Sequence, residues 1–355
     1  SLQGNVAANT LTTFAQAYGV SLLGGGTIST DTTFLNTGAI TVGDESTDSS
    51  TFAGGLDTTA GVTENFAGTV AATDNQIDIG VASVTADATI DGGTGAINTA
   101  AMTVADASTL TVGTGAVGAP TIASVTGANG GGAASNLTLN STGVASVGAV
   151  GTNIGTVTVT QSGGTTFSST VDAVAVTLTD TTGTIQFDGA LTATDLNTAA
   201  KGYGVSLLGG STIANAVTFS NTGTTQIGDA TGDTNTFNGG VTATAGAVTA
   251  SGSVVTSEDN LALGAVTLVE AQTLTLDTAN TGGGNITVAS LTGVTGGSSE
   301  NITLESGSGT ITVSGAVGTD IGTLTLQENA AGASGAVSLQ GNVAANTLTT
   351  FAQAY

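Results

Sequence analysis

SLQGNVAANTLTTFAQAY, residues 1–18, returns without a change as residues 338–355. An identity of that length, at an offset of 337 residues from Ser1 to Ser338, marks the sequence as a window on a periodic array, one period and a short overlap. On this reading the residue after Tyr355 is glycine, as Gly19 follows Tyr18. A second, diverged copy lies inside the period. AYGVSLLGGGTI (17–28) answers GYGVSLLGGSTI (202–213) at an offset of 185, and Phe34 and Phe52 answer Phe219 and Phe237 at the same offset. Further on, NLTLNSTG from Asn136 matches NITLESGS from Asn301, where the offset has fallen to 165. The first copy thus carries 20 extra residues, which the sequence places around GAINTAAMTVADASTLTVGTG (95–115). The closing segments, TIQFDGAL from Thr184 and VSLQGNVA from Val337, start 153 apart, so about a dozen more residues drop out. The expected organisation is a first repeat over 1–185, a second, shorter one over 186–337, and the start of the next period over 338–355.

These length changes discriminate between architectures. Losing one strand from a β-sandwich would reverse the direction of the chain. A solenoid gains or loses a whole turn of about 20 residues without disturbing its neighbours, because each turn touches only the turns before and after it. The local pattern agrees. Short segments such as GAITVG, NLTLN, TVTVTQ, VAVTLTD, TLTLD and NITVAS alternate Val, Ile or Leu with Thr, Ser, Asp or Gln, which gives one inward and one outward face. Gly, Asn and Asp clusters between them supply corners with positive φ. NTLTTFAQAY is the nearest approach to a helical period and is read as a strand followed by a corner. The expected fold is an all-β parallel β-solenoid with turns of about 20 residues. One period then makes roughly 17 turns and rises roughly 80 Å as a continuous rod.

Composition points the same way. The chain has 56 Gly, 3% aromatic residues and 7% charged residues, and its 39% hydrophobic content is mostly small or β-branched, which suits a narrow core. The mean hydropathy of +0.33 and the dense alternation of β-branched residues argue against disorder. Lys201 is the only basic side chain against 25 acidic ones, a formal charge of −24, so the reading excludes nucleic acids and anionic membrane surfaces as partners. No apolar run reaches the roughly 20 residues that span a bilayer, so no membrane insertion is expected in this segment. With no Cys and no His, disulfides and the usual zinc or copper sites are not expected.

Two carboxylate loops are the candidate sites. GDESTDSSTFAGG (43–55) brings Asp44, Glu45 and Asp48 together, and GDATGDTNTFNGG (228–240) brings Asp229 and Asp233. Ca²⁺ wants several oxygen ligands, so these are weak calcium candidates, weighed against Asp that merely caps turns. The repeat-in-toxin pattern is not met: GGTGAINTA (92–100) has its glycines without the Asp. Two-carboxylate catalysis lacks clustered Arg, Lys, His or aromatic platforms, so no enzyme and no other cofactor is expected. Thr-rich faces such as TVTVT (156–160) suggest an ice-binding array, yet the length changes argue against strict alignment. Asn136, Asn140, Asn285 and Asn301 stand in N-x-S/T sequons, and Tyr18, Tyr203 and Tyr355 recur at one repeat position as expected corner-packing residues.

TTFLNTGAITVGD, STFAGGLDTTAG, GTNIGTVTVTQSGGTTFSSTV and GYGVSLLGG resemble the β-strand-repeat regions of giant bacterial surface proteins, similar to filamentous-haemagglutinin and autotransporter-like adhesin shafts. The resemblance spans nearly the whole chain. It implies a right-handed β-helix, secretion, and a place outside the cell or on its surface. The expected function is a structural rod in a filament, sheath or stalk, with copies of itself as partners end to end or laterally. The alternative is an adhesin shaft or a module that binds glycans or other surface proteins.

Overall fold

In the alternating stretch 156–160, Val157 and Val159 are fully buried while Thr156 and Thr158 stand half-exposed. β-Branched side chains suit this pleated, half-buried surface, and the period of two repeats in strand after strand. The structure is a computed structural model that describes residues 1–116, 118–129, 132–279, 282–327 and 335–350. It is all-β, a parallel β-solenoid of about 16 turns of roughly 20 residues, with no helix among the described residues. Two compact units, Ser1–Gly183 and Thr184–Tyr355, make up the chain.

In the first unit three faces alternate along the chain. Face A begins with Val20–Leu22 and Ile40–Val42, face B with Val6–Ala8, Gly26–Ile28 and Ser49–Phe52, and face C with Thr32–Thr33 and Leu56–Asp57. Each strand pairs in parallel with the strand one turn later on its own face. Inward residues therefore stack into columns one residue per turn. Val70, Ile90, Val112, Leu139, Val159 and Leu178 form one such column on face B, all fully buried.

The second unit repeats the plan. Gly204–Leu207 opens face A, Ser211–Ile213 face B and Val217–Thr218 face C. Their successors pair in the same order, ending on face A at Val343, on face B with Thr347–Thr350 and on face C with Val337–Leu339. The 185-residue offset read from the sequence links strand to strand here: Ser49–Phe52 corresponds to Thr234–Phe237 and Leu56–Asp57 to Val241–Ala243. Both phenylalanine pairs are buried edge to face, with Phe34 and Phe52 6.4 Å apart and Phe219 and Phe237 6.2 Å apart. At the corner from face A to face B, Gly68 (φ +70°) and Gly252 (φ +71°) leave no room for a side chain. A Cβ there would lie 2.3 Å from the carbonyl oxygen of Asp48 or of Asp233.

One local expectation is narrowed and another is corrected. The first unit does hold one extra turn on face B, with strands at 69–71, 88–91 and Thr109–Val112 where the second has Gly252–Thr256 and Thr273–Asp277. Its place is bracketed by corners that both copies share. Ala107 (φ 60°) and Ala271 (φ 58°) share the same left-handed corner just ahead of Thr109–Val112 and Thr273–Asp277, so the stretch from 107 on has its counterpart. Asp74 (φ 56°) and Glu258 (φ 68°) share another such corner, ahead of Ile77–Ile79 and Leu261–Leu268, so the added turn falls between Val84 and Ala107 and overlaps the first part of 95–115. Turns this alike hide which one was inserted until their corners are compared. NTLTTFAQAY also departs from a strand and corner: residues 9–18 form no strand, whereas the same TLTT at Thr347–Thr350 does. The end of this repeated segment, residues 351–355, lies outside the described residues.

Candidate functional site

The two carboxylate loops are built alike. Asp48 Oδ2 accepts the amide N–H groups of Asp44 and Glu45, each at 2.9 Å, and Asp233 Oδ2 accepts those of Asp229 and Ala230, each at 2.8 Å. The same two residues accept an amide of the next turn on their own carbonyl oxygens, from Thr69 and from Ser253, both at 2.8 Å. A short acidic side chain that satisfies two turn amides is the usual way Asp holds a tight corner. The amide bonds from Asp44 and then Glu45 hold the Asp48 carboxyl below the usual range. Its contribution to stability is present above that range and fades as the pH falls through its lowered value. Asp229 shifts upward, through partial desolvation first and then the neighbouring Asp233. Asp44 and Glu45 stand exposed beside this corner, and among the described residues no group of three or more acidic side chains is placed to hold a metal ion.

This geometry sets an expected result. Asp233→Ala lowers stability by about 1 kcal/mol, the scale of a lost cap, while EDTA leaves the melting temperature of the parent chain unchanged. A large EDTA-induced drop in a thermal melt would instead mark these loops as calcium sites.

A second feature was not visible along the sequence. Asp31, Thr33, Gly54, Gly55, Leu56, Asp57, Asn75, Gln76 and Asp78 line a polar groove of about 310 Å³. Its side chains hold one another. Gln76 Nε2 donates to both carboxylate oxygens of Asp78 at 2.8 and 2.7 Å, and Asn98 Nδ2 donates to Asp78 Oδ1 at 2.8 Å. Asn75 Nδ2 donates to the carbonyls of Ala53 and Thr73 at 2.8 and 2.7 Å. The lining comes from three successive turns, so its residues are about 20 apart and no linear motif betrays them. In the second copy Ala216, Thr242 and Ala262 take the places of Asp31, Asp57 and Asp78, so the acidic groove belongs to the first copy alone.

The threonine faces overturn the expectation of misalignment. Thr69, Thr89, Thr111, Thr138, Thr158 and Thr177 are register partners on successive turns of face B, about 4.8 Å apart, and each is half-exposed. Thr275, Thr303, Thr325 and Thr349 form the corresponding ladder in the second unit. Length varies mainly in the corners, and the threonine positions themselves stay in register. The sequon residues Asn136 and Asn301 stand where the ladder shifts register. Their Oδ1 atoms accept the amides of Thr156 and Thr323, at 3.0 and 2.9 Å, and Asn285 does the same for Thr310 at 2.9 Å. Tyr18 and Tyr203 close equivalent corners, their hydroxyls accepting the amides of Phe14 at 2.7 Å and Ala199 at 2.9 Å; Tyr355 lies outside the described residues. Comparison with protein-family models, with curated proteins and with solved structures finds no match.

Proposed function

We propose that this chain is a stretch of an extracellular structural protein that builds a rigid repetitive rod, as part of a surface filament, sheath or stalk similar to the shafts of filamentous-haemagglutinin and autotransporter-like adhesins. The observation that carries this reading is the turn-to-turn construction of each unit, where every inward column is buried only against the turns before and after it. Such a unit extends by adding copies of itself, and its partners on this reading are further copies, end to end or side by side. Its role is mechanical and spatial rather than catalytic. A strongly acidic, Lys-poor surface keeps such rods apart and soluble at moderate salt.

The second reading, an adhesin shaft or a module that binds glycans or surface proteins, draws support from the groove on the first copy. It is polar, lined by carboxylates and amides, and its three aspartates have no acidic counterparts in the second copy. Cryo-electron microscopy of native material separates the two. The filament reading expects long, regular arrays with the 337-residue repeat as their unit; isolated tapered rods ending in a unique head would sink it.

A further inference from the structure

Residues 338–350 have the sequence of residues 1–13, and yet the two segments lie on different faces. In the first unit Leu2 bridges Leu22 on face A, and Val6–Ala8 pair with Gly26–Ile28 on face B. Thr13 Oγ1 then accepts the amide of Leu35, just past the face C strand Thr32–Thr33. In the second unit every one of these positions has moved by one face. Leu339 pairs with Val313 on face C, Val343 bridges Val317 on face A, and Thr350, the counterpart of Thr13, pairs with Leu326 on face B.

We propose that the end surface formed by residues 337–350 receives the opening turn of a further copy of the same repeat, the counterpart of Val20–Phe34, and receives it one third of a turn out of phase. The proposal deepens the filament reading and rests on it. The occupant is specified by the first unit, which shows what pairs with this sequence: Leu22 with Leu2 and Gly26–Ile28 with Val6–Ala8. The surface also leaves two core columns open. Leu348 continues the column of Leu274, Ile302 and Leu324 yet is 52% exposed, and Val343 continues that of Leu291 and Val317 yet is 39% exposed. A further turn buries both, and it finds its strand edge already ordered. Face A of the new copy then stacks on face C of the old one. A stripe such as the Thr275–Thr303–Thr325–Thr349 ladder ends with its copy, and its successor starts on the side of face A.

The chain contains no Cys, so nitroxide pairs report the phase cleanly. Labels at Thr312→Cys and Ser338→Cys, register partners on face C, are expected to show strong dipolar broadening, because neighbouring strands lie about 4.8 Å apart. Labels at Ala316→Cys and Ser338→Cys, which would adjoin only if Leu339 followed Val317 on face A, are expected to show clearly weaker broadening. The reverse pattern overturns the phase. So does the absence of broadening in both pairs while Thr303→Cys with Thr325→Cys, a pair internal to the second unit, still broadens. The occupant is tested in the full chain extended past Tyr355 by a second copy of residues 19–36. Broadening is expected between Ala344→Cys and the added counterpart of Thr27→Cys, since Ala7 pairs with Thr27, and its absence overturns the assignment. Native material that shows heads without arrays would defeat the filament reading while leaving the measured phase intact.

Discussion

Replacing Phe237 by alanine is expected to remove about 3–5 kcal/mol from the local stability of the second unit. The ring is fully buried, stands in register between Ile213 and Thr256, and meets the edge of Phe219. A large-to-small change there loses the transfer energy of the ring and leaves a cavity that two flanking turns, fixed by their own ladders, cannot close. Repeat proteins add up their stability from neighbour to neighbour, and a single global transition is a poor readout of one turn. Hydrogen exchange is the better measure. Amides in Ser211–Ile213 and Gly252–Thr256 should lose protection by roughly a hundred-fold to a few thousand-fold, with turns of the first unit unaffected. A loss under ten-fold would mean that the ring does not hold these turns together.

The second large effect depends on pH. Glu64 stands in an inward column of face A between Ile40 and Ala82 and is 1% exposed. Thr58 Oγ1 donates to its Oε2 at 2.6 Å and the Gly80 amide donates to the same oxygen at 3.1 Å, while Oε1 is buried without a partner. Burial first, and the Asp57 charge to a lesser degree, push its carboxyl from 4.5 up to about 7 against the pull of those two hydrogen bonds. Between these values the folded chain holds a proton that the unfolded chain has released, so stability falls as the pH rises from 4.5 to about 7 and stays low above it. The deficit is at most about 3 kcal/mol. Glu64→Gln keeps an acceptor for Thr58 and Gly80 and removes the charge. Thermal melts across pH should show the variant more stable than the parent at pH 8 and close to it at pH 5. Other carboxylates also favour the acid side through the net charge, and they cancel in the difference between the two proteins. Parallel profiles would refute this role of Glu64.

The parallel solenoid and its turn length were legible because indels of whole turns and period-two alternation both survive in a linear string. Even Glu64 left a trace: it sits two residues before Phe66, on the inward phase, and Val248 takes its place in the second copy. The number of faces was hidden, since corners at Gly68, Ala107 or Asn153 share no motif beyond tolerance of positive φ. The threonine ladders were misjudged for the same reason. Steps of 22 residues from Thr89 to Thr111 and 27 from Thr111 to Thr138 look irregular in sequence, and the corners take up the difference. The groove escaped because register, rather than proximity along the chain, brings Asp57 beside Asp78.

The parallel ladders also determine how either unit would yield under load. Hydrogen bonds between turns run along the stacking direction, so a pull in that direction strains one inter-turn ladder after another rather than shearing many strands together. Each turn that peels away would release roughly 60 Å of chain, while the turns behind it keep their pairing and can rewind once tension drops. Pulled hard enough to open, a unit of this construction would lengthen in steps set by its roughly 20-residue turn.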